Sequence, residues 1–219
     1  MNPLFSVIVP AYNSEKFISR CINGILNQNF SKKKYEIIII NDNSSDNTIK
    51  IINKLKKKYK ILKVINNNKN LGVSASRNIG IRHASGKYII FLDSDDQLKK
   101  TSFFRLEKII EKDFDLILAL NSKVSKISKI KKEYDLFKFF NRNNFNAHCW
   151  NYILKKNFLI KNNIYFSKIR VFEDQIFVSK ILCNIKNFKV VSQSFHIHNE
   201  RFNSLGRSVK IESFHSCLN

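Results

Sequence analysis

Apolar residues in the first part of the chain recur with two spacings, and the spacing switches repeatedly. Phe5 to Val9 is a short apolar run closed by Pro10, which has no amide to give to a sheet ladder. From about Ser14 to Asn27, Phe17, Ile18, Cys21, Ile22, Ile25 and Leu26 fall on one helical face, with Ser14 as the cap and Glu15 in the first turn. Glu36 to Ile40 carries an unbroken isoleucine run, the pattern of a strand buried on both faces. The polar turn 41–47 leads into a helix reaching about Lys57, with Ile49, Ile52 and Leu55 inward. Ile61 to Ile65 reads as a third strand, 66–70 as an Asn-rich loop, Val73 to Ala84 as a helix, and Lys87 to Leu92 as a fourth strand ending at Asp93. Alternation with short connections predicts an α/β fold: a doubly wound, mostly parallel central sheet with helices on both faces. In such sheets ligands bind beyond the carboxyl ends of the strands.

After Asp93 the pattern loosens. A helix is expected near 101–112, a strand near 115–120, and helices over 133–140 and 173–183, followed by a mixed polar tail after 194. Lys123 to Lys132, rich in Lys and Ser, reads as a solvated loop or as a contact with a membrane surface. No internal repeat or linker divides the chain, so 1–219 is expected to be a single domain.

Composition changes this picture in one respect. The 219 residues are 43% hydrophobic and include 19 Phe, ample for a core. Lys and Arg number 39 against 17 Asp and Glu, a net charge of +22. That surplus attracts polyanions, whether nucleic acid, an anionic membrane or phosphorylated substrates. AT-rich codons, which favour Lys, Asn and Ile alike, account for it equally well. Either way acids are scarce, and a cluster of them stands out. Cys21, Cys149, Cys183 and Cys217 show no Cys-x-x-Cys spacing and read as reduced thiols of a cytoplasmic protein. Nothing approaches the roughly 18 consecutive apolar residues of a membrane span. The first residues lack a basic leader and a cleavage site, and read as a first strand.

The acids gather past the predicted strand ends. Strand one runs into Pro10-Ala11-Tyr12-Asn13, strand two into Asn41-Asp42, and strand four into Asp93-Ser94-Asp95-Asp96. In a doubly wound sheet these turns share one rim. Asp42 there can accept hydrogen bonds from a base or ribose. Asp93 and Asp95 offer hard oxygen ligands within one turn, which suits Mg²⁺ or Mn²⁺ carrying phosphates. An isolated Asp-x-Asp also reads as a capping turn with solvated acids; here the order and the strand context set it apart.

At this point the sequence resembles glycosyltransferase family 2, which has the GT-A fold. The resembling stretches are Val7 to Asn13, Ile39 to Thr48, Asn70-Leu71-Gly72-Val73-Ser74-Ala75-Ser76-Arg77-Asn78-Ile79-Gly80, Ala84 to Asp96 and Phe172-Glu173-Asp174-Gln175-Ile176-Phe177. They cover 5–96 nearly without a gap and are patchy afterwards. The resemblance implies a donor half over 1–96 and an acceptor half over 97–219. It implies that Pro10, Ala11 and Tyr12 line a nucleotide pocket and that Asp42 hydrogen-bonds the base, usually uracil. Arg77 resembles the family arginine near the nucleotide; on its residues alone it reads as a helix side chain pairing with a local acid. Asp93, with Ser94 beside it, would touch the ribose or the water shell of the metal, and Asp95 would ligate the metal. Asp174 resembles the catalytic base, although Glu173-Asp174 also reads as the acidic first turn of a helix. Arg201-Phe202-Asn203-Ser204 resembles an Arg-x-x-Ser element that closes over the diphosphate. His196 and His198 alternate as on a strand; they read as structural residues, while in some GT-A enzymes a C-terminal histidine completes the metal site. Trp150 either stacks on an acceptor sugar or fills core.

Two departures stand out. Asn41 replaces the usual first acid of the Asp-Asp pair, and the chain ends soon after Ser204 without the extensions many relatives carry. The expected activity is an inverting, Mn²⁺- or Mg²⁺-assisted hexosyl transfer from a nucleotide diphosphate sugar, with UDP the expected nucleotide. The expected acceptor is a glycan or lipid-linked hydroxyl in polysaccharide biosynthesis, in the cytoplasm or peripherally on the membrane's cytoplasmic face. A nucleotidyltransferase would need a Gly-rich phosphate loop after strand one, which is not there. No nucleic-acid motif accompanies the charge, so no specific nucleic-acid partner is expected. A catalytically silent relative would not need Asp93, Asp95 and Asp174.

Overall fold

The isoleucine run of the second strand has no polar side because helices cover it from both directions. Ile38 and Ile40 join one apolar cluster with Ile8, Ile89 and Phe91. Ile37 and Ile39 join the other with Val7, Val9 and Ile90. This is the two-residue period of a strand, with both sets fully buried.

The computed structural model describes residues 2–120, 148–169 and 172–199. The elements in order are β1 (Phe5–Ala11), α1 (Ile18–Leu26), β2 (Tyr35–Asn41), α2 (Thr48–Lys58), β3 (Leu62–Asn66), α3 (Val73–His83), β4 (Tyr88–Phe91), β5 (Gln97–Leu98), α4 (Ser102–Ile110) and β6 (Leu116–Ala119). A 3₁₀ turn at Cys149–Asn151 precedes β7 (Tyr152–Lys155), α5 (Lys156–Lys161), α6 (Glu173–Asn184), β8 (Phe188–Val191) and β9 (His196–Ile197). The expected helix over 133–140 and the Lys123 to Lys132 segment lie outside the described residues. Among those described, no helix is long and apolar enough to cross a membrane.

The main sheet has the order β3-β2-β1-β4-β7-β6-β8, and β5 and β9 form a separate ribbon. β1 to β4 are parallel, and β7 alone runs against its neighbours. Residues of α1, α2 and α4 pack on one sheet face, and residues of α3, α5 and α6 on the other. The chain builds outward from β1 to β3, then returns to lay β4 on the other side of β1. The crevice at this switch is where an α/β sheet takes its ligands. Because β7 is reversed, its amino end and the turn before it reach the rim formed by the carboxyl ends of β1, β2 and β4.

Three local readings need correcting. Pro10 does not end the first strand, which continues to Ala11. Ile8 accepts from Leu92 on the β4 side, and Asp42 donates to Ala11 on the β2 side. Pro10 therefore faces the β4 side, past the point where β4 has stopped, and its missing amide costs no ladder bond. Helix α1 starts at Ile18, and no side chain caps it. Ser14 serves instead through its carbonyl, which accepts from Phe17 and Ile18, and Glu15 lies before the helix. The strands β5, β7 and β8 were not predicted as strands, and β9 was indicated only by the alternation of His196 and His198.

Candidate active site

The polar turn after β2 fastens the turn after β1. The Asn13 amide donates to Ser44 Oγ at 3.1 Å, and the Ser45 amide donates to Asn13 Oδ1 at 2.9 Å. Ser14 donates to Thr48 Oγ1 at 2.7 Å, Glu15 to Asp46 Oδ2 at 3.1 Å, and Asn47 back to Glu15 Oε2 at 3.0 Å. Asn13 and Asn43 both have positive φ, 45° and 58°, which Asn tolerates better than most residues. This lacing leaves Tyr12 49% exposed at the rim, with Ala11 and Pro10 buried beneath it.

Asp42 is 3% exposed. Its Oδ1 accepts from Leu71 N–H at 2.8 Å and Asn67 Nδ2 at 2.7 Å, and its Oδ2 from Gly72 N–H at 2.8 Å. Gly72 has φ 86°, so only glycine turns this corner without strain. Asp42 thus shapes the 67–72 loop beside the crevice. Asn41 ties to the end of β3, donating from Nδ2 to Asn66 Oδ1 at 3.2 Å.

Arg77 joins two of the predicted acids. It projects from α3 and is 3% exposed. Its Nη1 donates to Asp174 Oδ1 at 2.8 Å and its Nη2 to Asp93 Oδ1 at 2.9 Å. The guanidinium lies 5.2 Å from the centroid of the Phe166 ring. Asn78 fixes that ring's backbone through two bonds of 2.9 Å, one in each direction. Asp174 Oδ2 also accepts from the Cys149 amide at 3.0 Å. The base candidate is therefore gripped at both oxygens while its side chain stays 17% exposed. Beside it, burial and the Asp174 charge push the Glu173 carboxyl above its ordinary range. Phe172, which opens α6, sits in the left-handed region at φ 65°, unusual for so bulky a residue.

The turn 93–96 divides its side chains. Ser94 is buried, and its hydroxyl meets Ser14 Oγ at 2.7 Å. Asp95 is half-buried, and its carbonyl accepts from Arg20 Nη2 at 3.1 Å and Asn199 Nδ2 at 2.9 Å. Asp96 is fully buried, with His196 Nε2 at 3.1 Å and His198 Nδ1 at 3.3 Å from Oδ2, and Asn199 N–H donating to Oδ1 at 2.9 Å. Burial alone would raise its carboxyl; the hydrogen bonds from His196, Asn199 and His198 hold it below its ordinary range. Ligand atoms of Asp96, His196 and His198 lie within 4.8 Å of one another. A carboxylate with two imidazoles is a donor set for Mn²⁺ more than for Mg²⁺, which prefers oxygen throughout. Trp150 stacks on His148 at 4.2 Å and on His198 at 5.6 Å, so histidines occupy its faces.

Of the predicted residues, Pro10, Ala11, Tyr12, Asp42, Arg77, Asp93, Ser94, Asp95 and Asp174 all lie at this rim. Arg77 and Ser94 turn their polar groups toward protein partners, and Arg201 lies outside the described residues. Sequence reasoning gave no role to Asp96 or Cys149 and took His196 and His198 as structural. The alternation of His196 and His198 was the one available signal, since it puts both rings on the same side of β9.

A doubly wound α/β sheet takes its ligands at the switch point, and here the acidic turn lies there. The model of glycosyl transferase family 2 matches residues 6–178, and the chain belongs to that family. It is 29% identical over 201 residues to the poly(ribitol-phosphate) beta-N-acetylglucosaminyltransferase TarS of Staphylococcus aureus, covering 89% of this chain and 35% of that protein. It is also 29% identical to the cholesterol galactosyltransferase of Borreliella burgdorferi, covering 94% of this chain and 63% of that one. Both matched proteins are thus substantially longer. The crystal structure of S. aureus TarS 1–349 in complex with UDP-GlcNAc superposes with a TM-score of 0.81 at 27% identity, over 94% of this chain and 61% of that one. A mannosyltransferase of Pyrobaculum calidifontis, solved with GDP-Man and Mn²⁺, shares the fold at a TM-score of 0.66 and 16% identity.

Proposed function

We propose that the chain transfers a sugar from a nucleotide diphosphate sugar, with UDP as the nucleotide, to a hydroxyl of a glycan or lipid-linked acceptor, inverting the anomeric centre. The observation that carries the reading is Arg77, which ties Asp93 of the acidic turn to Asp174 across the crevice. That tie sets a carboxylate next to the place where a donor's diphosphate would meet the turn after β4. In this reading Tyr12, Ala11 and the loop shaped by Asp42 receive the base and ribose, with Asp93 and Ser94 next to them. Arg201 closes over the diphosphate. The donor half is 1–96 and the acceptor half 97–219.

Asp174 acts as the general base. Held by Arg77 and the Cys149 amide, it takes the proton of the acceptor hydroxyl while that oxygen attacks the anomeric carbon from the face opposite the diphosphate. The diphosphate departs with the electron pair of the broken bond. Asp95 with Asp93, or Asp96 with His196 and His198, would hold Mn²⁺ or Mg²⁺. Neutralising the departing diphosphate is the chemistry such an ion supplies when bound.

General-base catalysis contributes about 10²–10⁴-fold, so Asp174→Asn should lower kcat by that factor and leave UDP-sugar affinity nearly unchanged. The check is steady-state kinetics beside donor calorimetry, with UDP-GlcNAc as the first donor in a nucleotide-sugar screen. Wild-type turnover in the variant would remove Asp174 from the reaction.

A further inference from the structure

A groove of about 550 Å³ runs between α1 and the β5–β9 ribbon. It takes no part in the donor reading above. Its rim carries three cations, Lys16, Arg20 and Lys100, and among the described residues lining it there is no Asp or Glu. Asn23, Asn27 and Gln97 add side-chain amides, which donate to anionic oxygens as readily as to neutral ones.

The groove is built by an otherwise unfavourable choice. Gly24 sits inside α1, where glycine costs about 1 kcal/mol relative to alanine. A Cβ there would lie 3.3 Å from Gln97 Cβ and 3.4 Å from its Nε2, so the glycine lets β5 come down against the helix as a floor. β9 forms the wall. Its Ile197 lines the groove, while His196 and His198 turn to the other side and hold Asp96. One strand therefore separates the cationic groove from the acid cluster. Arg20 connects the two, lining the groove and donating to the Asp95 carbonyl at 3.1 Å.

We infer that this groove binds a phosphodiester-bearing segment of the acceptor and leads it toward the acidic turn. The inference rests on the transferase reading. Cations with interspersed amides, a concave floor and the lack of lining acids select phosphate groups over neutral sugars. The concavity, and a wall whose exposed apolar residue is Ile197 alone, favour a threaded chain over a bilayer surface.

The test uses the full chain and a fluorescent ribitol-phosphate oligomer, read by anisotropy. Lys16→Glu with Lys100→Glu should weaken binding about tenfold by placing like charge beside the phosphates. Lys56→Glu with Lys57→Glu, the same charge change on α2, should alter it less than about twofold. UDP binding with Mn²⁺, measured by calorimetry, should be equal in all forms. Equal losses in both double variants would overturn the groove, since net charge alone would then explain binding. So would equal binding of a neutral oligosaccharide, or capture of phosphatidylglycerol vesicles through Lys16 and Lys100 with no affinity for the oligomer. If wild type bound no UDP, the transferase reading would fall and the acceptor role with it; if UDP bound normally and the oligomer did not, the groove would fall alone.

Discussion

Arg77 and Glu36 show how single buried charges organise the two ends of the sheet. Arg77 gives up its hydration and regains it through two carboxylates and the Phe166 ring, while its Nε has no partner among the described residues. Replacing it with Met would fill similar space and strand both acids. Breaking such a pair costs roughly 3 kcal/mol, the low end for buried pairs, because Asp93 and Asp174 keep some contact with water. Urea unfolding of Arg77→Met would measure this, and an unchanged midpoint would mean that the acids stand without it. The sequence marked Arg77 for the nucleotide; its alternative reading as a partner of local acids is what the structure displays. The choice depends on Asp174, whose position relative to α3 is set by the whole intervening fold. At the opposite end, Glu36 accepts from Ser6, Ser85 and Gly86 and pairs with Lys63 at 2.6 Å. Burial alone would raise its carboxyl, but the Lys63, Ser6 and Ser85 bonds hold it below its ordinary value of 4.5. A carboxyl lowered on folding adds stability that is complete above the unfolded value and is lost as pH falls through the folded one. Wild type should therefore lose urea resistance on acidification below about pH 4.5 more steeply than Glu36→Gln does.

Among the elements, α3 lies tight against the sheet at Gly80. A Cβ on Gly80 would stand 2.3 Å from Ile8 Cγ2, and Ile8 is fully buried in β1. Alanine would gain about 1 kcal/mol in helix propensity. Overpacking a closed core typically costs about 1–3 kcal/mol, and at this separation the upper end applies. Gly80→Ala should thus be destabilising overall by about 1–2 kcal/mol in chemical denaturation. A stabilised variant would show that α3 can lift off β1 freely. The elements up to β4 were legible because each is a local matter: an apolar run, a helical period and a polar turn between them. Pro10 misled by one step, since whether its missing amide matters depends on where β4 ends. The reversed β7 and the pairing of β5 with β9 were not legible, because the partners that define such short strands lie far away in the chain.

At the level of the whole molecule, the strand order decides which side chains meet. Placing β4 beside β1 brings Asp42 and Asp93 to one rim, and reversing β7 delivers Cys149 and Trp150 there as well. The strand ends made the first two readable. The Asp96 cluster was hidden because its histidines arrive from residues about a hundred positions away. If the crevice takes Mn²⁺, an ion at about 100 times its Kd should add about 2.7 kcal/mol of stability. A thermal shift in Mn²⁺, compared among wild type, Asp95→Ala and His196→Ala, tells which group of ligands is used. A full response in both variants would take the ion away from this turn. The ribbon has one more implication. The Asp96 carboxylate draws its described hydrogen bonds from His196, His198 and Asn199. A nascent polypeptide that has left the ribosome only as far as β8 would bear a naked anion in its half-made crevice. Translation would have to pass Asn199 before all three of these donors could reach that anion.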